Sequence, residues 1–219
     1  RGNPKSEPLN PNENPSPEFQ PLGFWIFRIS DLAVRISAST AWISAALLLS
    51  FWISAAPAEA AVWYVNDTST VGDSFTSAAG YDTQAGTLAL PKRTLNSLEG
   101  LLIAGDTIYV DAGFFYEPDT FTIDTNSIWL LGKDSASTVI SFPDSTVASA
   151  YAILANPSWM TTAKTNITFR DFRVTNAYRG IWVIRVNNVT IDRVRCDYNN
   201  DKGIYFDQTN NTPTFTANI

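Results

Sequence analysis

The chain of 219 residues contains no histidine and only one cysteine, Cys196. Without histidine, these residues cannot form a His-based catalytic triad or a His-ligated zinc site. A single cysteine also excludes an intramolecular disulfide framework. The formal net charge is −6 at pH 7, whereas phosphate binding requires clustered basic charge, so nucleic acid is excluded as a partner.

The first 60 residues have the composition of a leader. Residues 1–31 begin with a stretch rich in Pro and Asn and without apolar periodicity, which predicts disorder. The sequence does not open on Met, and Leu32 is a residue type that an alternative bacterial start codon encodes, so our hypothesis is that 1–31 is translated upstream sequence. Residues 32–60 combine a basic flank, an apolar run and an A-x-A site, which predicts a secretory signal peptide cut after Ala60.

Cleavage there predicts a protein that is secreted or displayed on the cell surface and has no stable membrane span. The alternative is an uncleaved membrane anchor, because the apolar run is about long enough to cross a bilayer. After the leader, residues 61–105 are expected to form an N-terminal cap made of a strand at 61–65, a loop rich in small residues and a helix. The helix is predicted over 92–102, where Leu residues recur with helical spacing.

β-Branched and aromatic residues between turn residues predict short strands in the next segment. They are expected at Thr107–Val110, Phe121–Ile123, Ile128–Leu131, Thr138–Phe142 and Tyr151–Leu154.

An internal repeat begins at Asn166. Residues 166–174 align with 188–196 at an offset of 22, and residues 180–183 align with 203–206 at an offset of 23. Repeats of this length, each with short strands separated by Gly and Asn, predict an all-β fold, a parallel β-helix in which equivalent side chains stack. A β-sandwich with alternating strands is the alternative. No polar cap appears before the end of the sequence, so the coils over 106–219 are expected to be incomplete.

The cap and the first coil resemble the start of a known family. The quoted residues are Tyr64-Val65, Gly80-Tyr81-Asp82, Gly86-Thr87, Pro91, Thr94-Leu95, the run from Ala104 to Gly113, Glu117, Leu130-Leu131-Gly132 and Thr138-Val139-Ile140. They are similar to the N-terminal part of bacterial secreted right-handed parallel β-helix proteins, the pectate-lyase-like superfamily. The resemblance covers about 61–208 and implies a right-handed coil behind an N-terminal cap helix.

The resemblance implies little about activity, because the superfamily includes lyases, hydrolases, epimerases and adhesins. Our leading hypothesis is a secreted or cell-surface scaffold that binds carbohydrate or serves adhesion, with no catalytic site in these residues. The alternative is the N-terminal part of a polysaccharide lyase or glycoside hydrolase acting on an acidic polysaccharide. Such lyases use carboxylates to hold Ca²⁺ and an Arg or Lys as base, so calcium is the cofactor that the resemblance allows.

Four arginines in the repeat are the candidate binding residues. The alignment places Arg170 over Asp192 and Asp171 over Arg193, as charge pairs, and it places Arg173 over Arg195. Two opposed arginines would be neutralised by an acidic polysaccharide lying along the coils, which predicts polyanion binding by Arg173, Arg195, Arg170 and Arg193. The alternative is that they point into solvent or pair with Asp171 and Asp197.

The other chemically interesting residues have structural interpretations. Asp106, Asp111, Glu117 and Asp119 near the cap are expected to close turns, in preference to a metal site, and no metal ligand set is assigned. Asn166 and Asn188 are expected to form a hydrogen-bonded ladder at a corner, and Cys196 to point inward as a small apolar residue.

Overall fold

The computed structural model describes residues 58–143, 145–148, 150–157 and 162–207, and the backbone of 216–218. The predicted disordered segment and all but the last three residues of the predicted signal peptide lie outside these ranges. Within them the protein is all-β, with three parallel sheets and no α-helix. No helix in this part of the chain is long and apolar enough to cross a bilayer.

From β2 onward the chain visits the three sheets in strict rotation, and we call one such circuit a coil. Sheet 1 contains β1 (Val62–Val65), β2 (Thr107–Val110), β5 (Ile128–Gly132), β8 (Lys164–Arg170), β11 (Val186–Asp192) and β14 (Thr216–Asn218). Sheet 2 contains β3 (Gly113–Tyr116), β6 (Thr138–Ser141), β9 (Arg173–Thr175) and β12 (Arg195–Asp197). Sheet 3 contains β4 (Phe121–Ile123), β7 (Tyr151–Ala155), β10 (Arg179–Ile184) and β13 (Lys202–Asp207). This order of parallel strands is compatible with a parallel β-helix.

Each sheet sends at least one continuous ladder of apolar side chains into the core. Strand residues alternate between the two faces of a sheet, so in-register residues of stacked strands share a face. In sheet 1 the ladder is Ile108, Leu130, Phe169 and Ile191. In sheet 2 it is Phe115, Ile140, Val174 and Cys196. In sheet 3 it is Phe121, Ile153, Ile181 and Ile204. The predicted stacking of both aligned repeats is therefore confirmed.

Left-handed backbone conformations recur at the repeat spacing, both inside β8 and β11 and at the corner that follows each of these strands. Asn166 and Asn188 have φ of 60° and 55°, and Asp171 and Arg193 have φ of 62° and 51°. The Asn188 amide nitrogen donates to Asn166 Oδ1 over 3.1 Å, which confirms the predicted hydrogen bond of the asparagine ladder, but the ladder lies within β8 and β11 and not at a corner. Asn and Asp tolerate this conformation better than most residues, so they suit these positions.

The predicted cap helix over 92–102 is wrong. The only regular element there is one 3₁₀ turn at Asn96–Leu98. The carboxylate of Glu117 accepts hydrogen bonds from the backbone N–H groups of Leu95 and Asn96, and Gly100 follows with φ of +74°. The buried side chains of Leu95 and Leu98 meet the core, whereas Leu101 is 46% exposed, so the leucine spacing reflects core contacts of a turn and not of a helix.

Candidate functional site

The four arginines predicted to bind a polyanion lie at one corner of the coils. Arg170 ends β8 and Arg173 begins β9, and one repeat later the corner between β11 and β12 contains Arg193 and Arg195. The structure therefore brings the predicted residues together. It also supplies each of them with a carboxylate from the chain itself.

On the sheet 1 side of this corner, Asp171 is the shared acid. Arg193 Nε lies 2.5 Å from Asp171 Oδ1, and Arg170 Nε lies 3.3 Å from Asp171 Oδ2. The predicted pairing of Asp171 with Arg193 is confirmed. Arg170 and Asp192 are in register, but in the described part of the chain no ion pair joins them. Asp192 instead pairs with its neighbour Arg193, so the predicted pairing of Arg170 with Asp192 is wrong.

On the sheet 2 side, Asp197 is shared by two arginines. Arg173 and Arg195 are in register, as predicted. Arg173 Nε lies 2.6 Å from Asp197 Oδ1, and Arg195 Nη2 lies 2.5 Å from Asp197 Oδ2. Burial raises the pKa of Asp197, but the hydrogen bonds and charges of Arg173 and Arg195 outweigh it and hold that pKa below its usual value. An internal carboxylate thus neutralises this pair, and polyanion binding at these arginines stays a prediction.

A second group of side chains, which the sequence analysis did not single out, lies on the outer face of sheet 3. We call it the aromatic strip; it consists of Tyr151, Arg179, Trp182 and Tyr205. Trp182 and Tyr205 are in register on β10 and β13, with ring centroids 6.0 Å apart. The Tyr151 ring meets Trp182 edge-on at 4.6 Å. These side chains are partly buried. They lie on the neighbouring strands β7, β10 and β13, so the contacting rings form one aromatic surface across three coils.

The guanidinium of Arg179 lies over this surface. Its central carbon is 4.8 Å from the Trp182 ring centroid and 4.7 Å from that of Tyr205. Arg179 Nε also lies 2.8 Å from Asp201 Oδ2. Burial lowers the pKa of Arg179, but the hydrogen bond and charge of Asp201 raise it above its usual value. Lys202 Nζ lies 4.8 Å from the Tyr205 ring centroid, so the strip carries two cations and one carboxylate.

One polar atom of the strip is left without a partner. The indole N–H of Trp182 is buried and has no hydrogen-bond partner within the described residues. The 23-residue offset that aligns 180–183 with 203–206 was the signal that could have revealed the strip, because it places Trp182 over Tyr205. The neighbouring strand β7 lacks the Gly of the repeat, and Tyr151 therefore escaped the alignment.

The acidic residues near the cap close turns, as predicted. Asp106 accepts hydrogen bonds from the backbone N–H of Ala61 and of Ile103 and from the indole N–H of Trp63. Glu117 is fully buried, and burial raises its pKa to about 7. Hydrogen bonds from the N–H groups of Leu95 and Asn96 act in the opposite direction on that pKa but are weaker than burial.

The described residues contain no group of three or more Cys, Asp or Glu side chains arranged to hold a metal ion. Cys196 packs against the core, as predicted, and burial raises its pKa to about 12, so it is a poor nucleophile. Two surface cavities, lined in part by Phe114 and by Thr122, measure about 80 and 190 Å³. Both are smaller than the ~300 Å³ at which small-molecule sites begin.

Fold and site together define an all-β protein with three parallel sheets, an arginine-aspartate corner and an aromatic strip. No family model, no curated protein and no solved structure matches the chain.

Proposed function

We propose that the chain is the N-terminal part of a secreted right-handed parallel β-helix, related to the pectate-lyase-like superfamily, and that its outer surface binds a carbohydrate polymer. The strict rotation of the strands through three parallel sheets supports the fold. The aromatic strip is the observation that carries the binding function.

The strip suits a sugar chain for three reasons. A sugar ring presents C–H groups on its faces, and these pack against the flat face of an aromatic ring. Arg179 and Lys202 provide donors for hydroxyl or carboxylate oxygens. The rings lie on successive strands, which in a sheet are about 4.8 Å apart, so the surface is long in the direction of the coil axis and suits an extended polymer better than a compact ligand.

Affinity electrophoresis in gels containing neutral or acidic polysaccharides tests this function. We expect retardation of the wild type in at least one gel, and a dissociation constant about 3- to 10-fold higher for Trp182→Ala. Trp129→Ala is the matched control, because Trp129 is 38% exposed on the outside of sheet 1. No retardation in any gel, or equal loss in both variants, would contradict the proposal. An ultraviolet assay for unsaturated uronate on the same polymers distinguishes the lyase alternative.

Export is the second part of the proposal. Among the residues that the structure describes, the first strand begins at Val62, so a chain cut after Ala60 retains all the strands described. The nitrogen of Ala61 lies 2.6 Å from Asp106 Oδ1, where a new α-ammonium group would form an ion pair. N-terminal sequencing of the secreted product is expected to begin at Ala61. A mature N-terminus before residue 32 would also contradict the hypothesis that 1–31 is upstream sequence.

A further inference from the structure

The side chain of Asn66 lies at the centre of a group of oxygen atoms. Asn66 follows β1 and is completely buried. Its amide nitrogen is close to four oxygens from the loop that follows. They are Asp73 Oδ2 at 2.6 Å, the Ala78 carbonyl at 2.8 Å, Thr76 Oγ1 at 3.1 Å and the Ser69 carbonyl at 3.3 Å. We call these four atoms the oxygen cage.

The cage contains more acceptors than the amide can satisfy. An asparagine amide carries two N–H hydrogens, so at most two of the four oxygens receive a well-aligned hydrogen bond. In addition, Asn66 Oδ1 and Asp73 Oδ1 are buried and have no hydrogen-bond partner within the part of the chain that the structure describes. Buried oxygens without partners are uncommon in folded proteins, and a pair of them in one loop calls for a missing group.

The loop holds this shape through separate contacts. The carboxylate of Asp111 accepts hydrogen bonds from the backbone N–H groups of Ser74, Phe75 and Thr76. The backbone N–H of Gly80 donates to the Asp67 carbonyl over 2.7 Å. The cage is therefore positioned by groups that are not part of it, which is how preorganised ligand sites are built.

The neighbourhood of the cage is negatively charged. The carboxylates of Asp67 and Asp111 interact electrostatically with that of Asp73, so three acids contribute negative charge here. Lys133 acts in the opposite direction, but its ammonium group donates to the Gly72 carbonyl. A cation in the cage would relieve this excess of negative charge.

We propose that the oxygen cage is a calcium site. Rotating the Asn66 amide by half a turn exchanges its nitrogen and oxygen, and it places Oδ1 among the other four oxygens. The ligands are then Asn66 Oδ1, the Asp73 carboxylate, Thr76 Oγ1 and the carbonyls of Ser69 and Ala78. Hard oxygen donors of mixed type, drawn from an irregular loop, suit Ca²⁺ better than Mg²⁺, which requires near-ideal octahedral geometry.

The ligand set predicts weak affinity. Only one ligand is charged, and calcium affinity rises with the number of charged ligands, so we expect a dissociation constant of about 10⁻⁴–10⁻³ M, as in extracellular modules. Asp73 is the only acid among the proposed ligands. Asp106, Asp111 and Glu117, which close turns, are not part of the site.

Calorimetric titration of the chelator-treated full chain with CaCl₂ tests the site, together with thermal unfolding. We expect saturable binding in that concentration range and a rise in Tm of about 3–6 °C at 10 mM calcium. Asp73→Asn is expected to weaken binding at least tenfold. Asp119→Asn is the control, because Asp119 is an exposed acid in a different loop, and it should bind as the wild type does. Absence of binding up to 10 mM, or equal binding by wild type and Asp73→Asn, overturns the proposal.

Asn66→Asp provides a second test, in which a gain of calcium affinity is expected instead of a loss. Without a cation, this variant places a carboxylate against the cage oxygens and should unfold at a lower temperature than the wild type. With calcium bound, the extra charged ligand should restore the Tm and raise the affinity. If calcium fails to rescue Asn66→Asp, the group facing the cage is the amide N–H₂ and the proposal is overturned.

Discussion

The guanidinium of Arg193 forms two hydrogen bonds to the carboxylate of Asp171, which precedes it by one repeat: Nε to Oδ1 over 2.5 Å and Nη2 to Oδ2 over 2.7 Å. Both residues occupy the same corner of successive coils and both have positive φ. These hydrogen bonds therefore link one coil to the next at the corner, beside the backbone hydrogen bond from the Asp171 N–H to the Asp192 carbonyl. The same corner contains the acid shared by Arg173 and Arg195, so this edge of the coils is joined by charge pairs.

Asp197→Asn tests the role of that shared acid. It leaves Arg173 and Arg195 facing each other without a full negative charge between them. Because these groups are partly exposed and screened by solvent, we expect the free energy of unfolding to fall by only about 1 kcal/mol. Urea denaturation at low and at high salt measures this, and the loss should shrink at high salt. A loss that is independent of salt would show that packing, and not charge, is responsible.

Glu117→Gln tests the buried carboxyl group. Its pKa is about 7 in the folded protein and 4.5 in the reference state, so the folded state keeps a proton that the unfolded state has lost. The contribution of this proton to the free energy of unfolding is fully present below pH 4.5. It is lost as the pH rises through 7, so the free energy of unfolding falls by about 3 kcal/mol in total. Urea denaturation between pH 4.5 and 8 should show this slope in the wild type and a flatter profile in Glu117→Gln. The exposed Glu99, changed to Gln, should keep the slope; a wild-type profile that rises over this range would contradict the assignment.

Phe169→Ala tests the inward ladder of sheet 1. Phe169 is fully buried, between Leu130 and Ile191 in the ladder, and its ring meets Phe172 edge-on at 6.4 Å. Removing the ring should lower the free energy of unfolding by about 3–5 kcal/mol. Phe114→Ala is the matched control, because Phe114 is 58% exposed, and it should cost less than about 1 kcal/mol. Equal losses in the two variants would show that Phe169 is not in the core.

Gly80→Ala tests the close approach that holds the cap loop. A Cβ atom at residue 80 would lie 1.8 Å from the Asn66 carbonyl oxygen and 2.5 Å from that of Lys92. Because both obstacles are backbone atoms, the loop must move, and we expect a loss of several degrees in Tm.

Gly100→Ala is the comparison for this variant. Gly100 has φ of +74° but no atom within 4 Å of the added Cβ, so only backbone strain of about 1 kcal/mol applies. Thermal unfolding followed by circular dichroism should place Gly80→Ala well below Gly100→Ala. The reverse order would show that the loop relieves the close approach at residue 80 at less cost than the left-handed conformation imposes at residue 100.

The repeat region could be predicted from the sequence because its signal is periodic. Matching apolar residues at 167/189 and 169/191 fixed the register of β8 and β11, and the structure confirms both pairs. Five of the first six strands after the cap were also located correctly, and only β3, Gly113–Tyr116, was missed. That strand begins at Gly113, with only two residues between it and the end of β2 at Val110.

The cap and the aromatic strip could not be predicted from the same signal. Leucine spacing alone cannot distinguish a helix from a turn that is held by a distant side chain. Here the N–H of Leu95 donates to the carboxylate of Glu117, which lies 22 residues further along the chain. In the strip, Tyr151 and Arg179 come together only because β7 and β10 are in register, and the intervening loop hides that spacing in the sequence. Contacts between coils of unequal length require the structure.

The rotation through three sheets has a consequence for how such a chain can change in length. Lys164 begins β8 and its in-register partner Val186 begins β11, exactly one coil of 22 residues later. Removing or duplicating 164–185 as a block would return the backbone to the same sheet with the same faces inward. A single residue added within a strand would instead reverse its inward and outward faces. A chain of this architecture can therefore gain or lose whole coils without changing which side chains face the core. Shorter insertions are tolerated only at the corners.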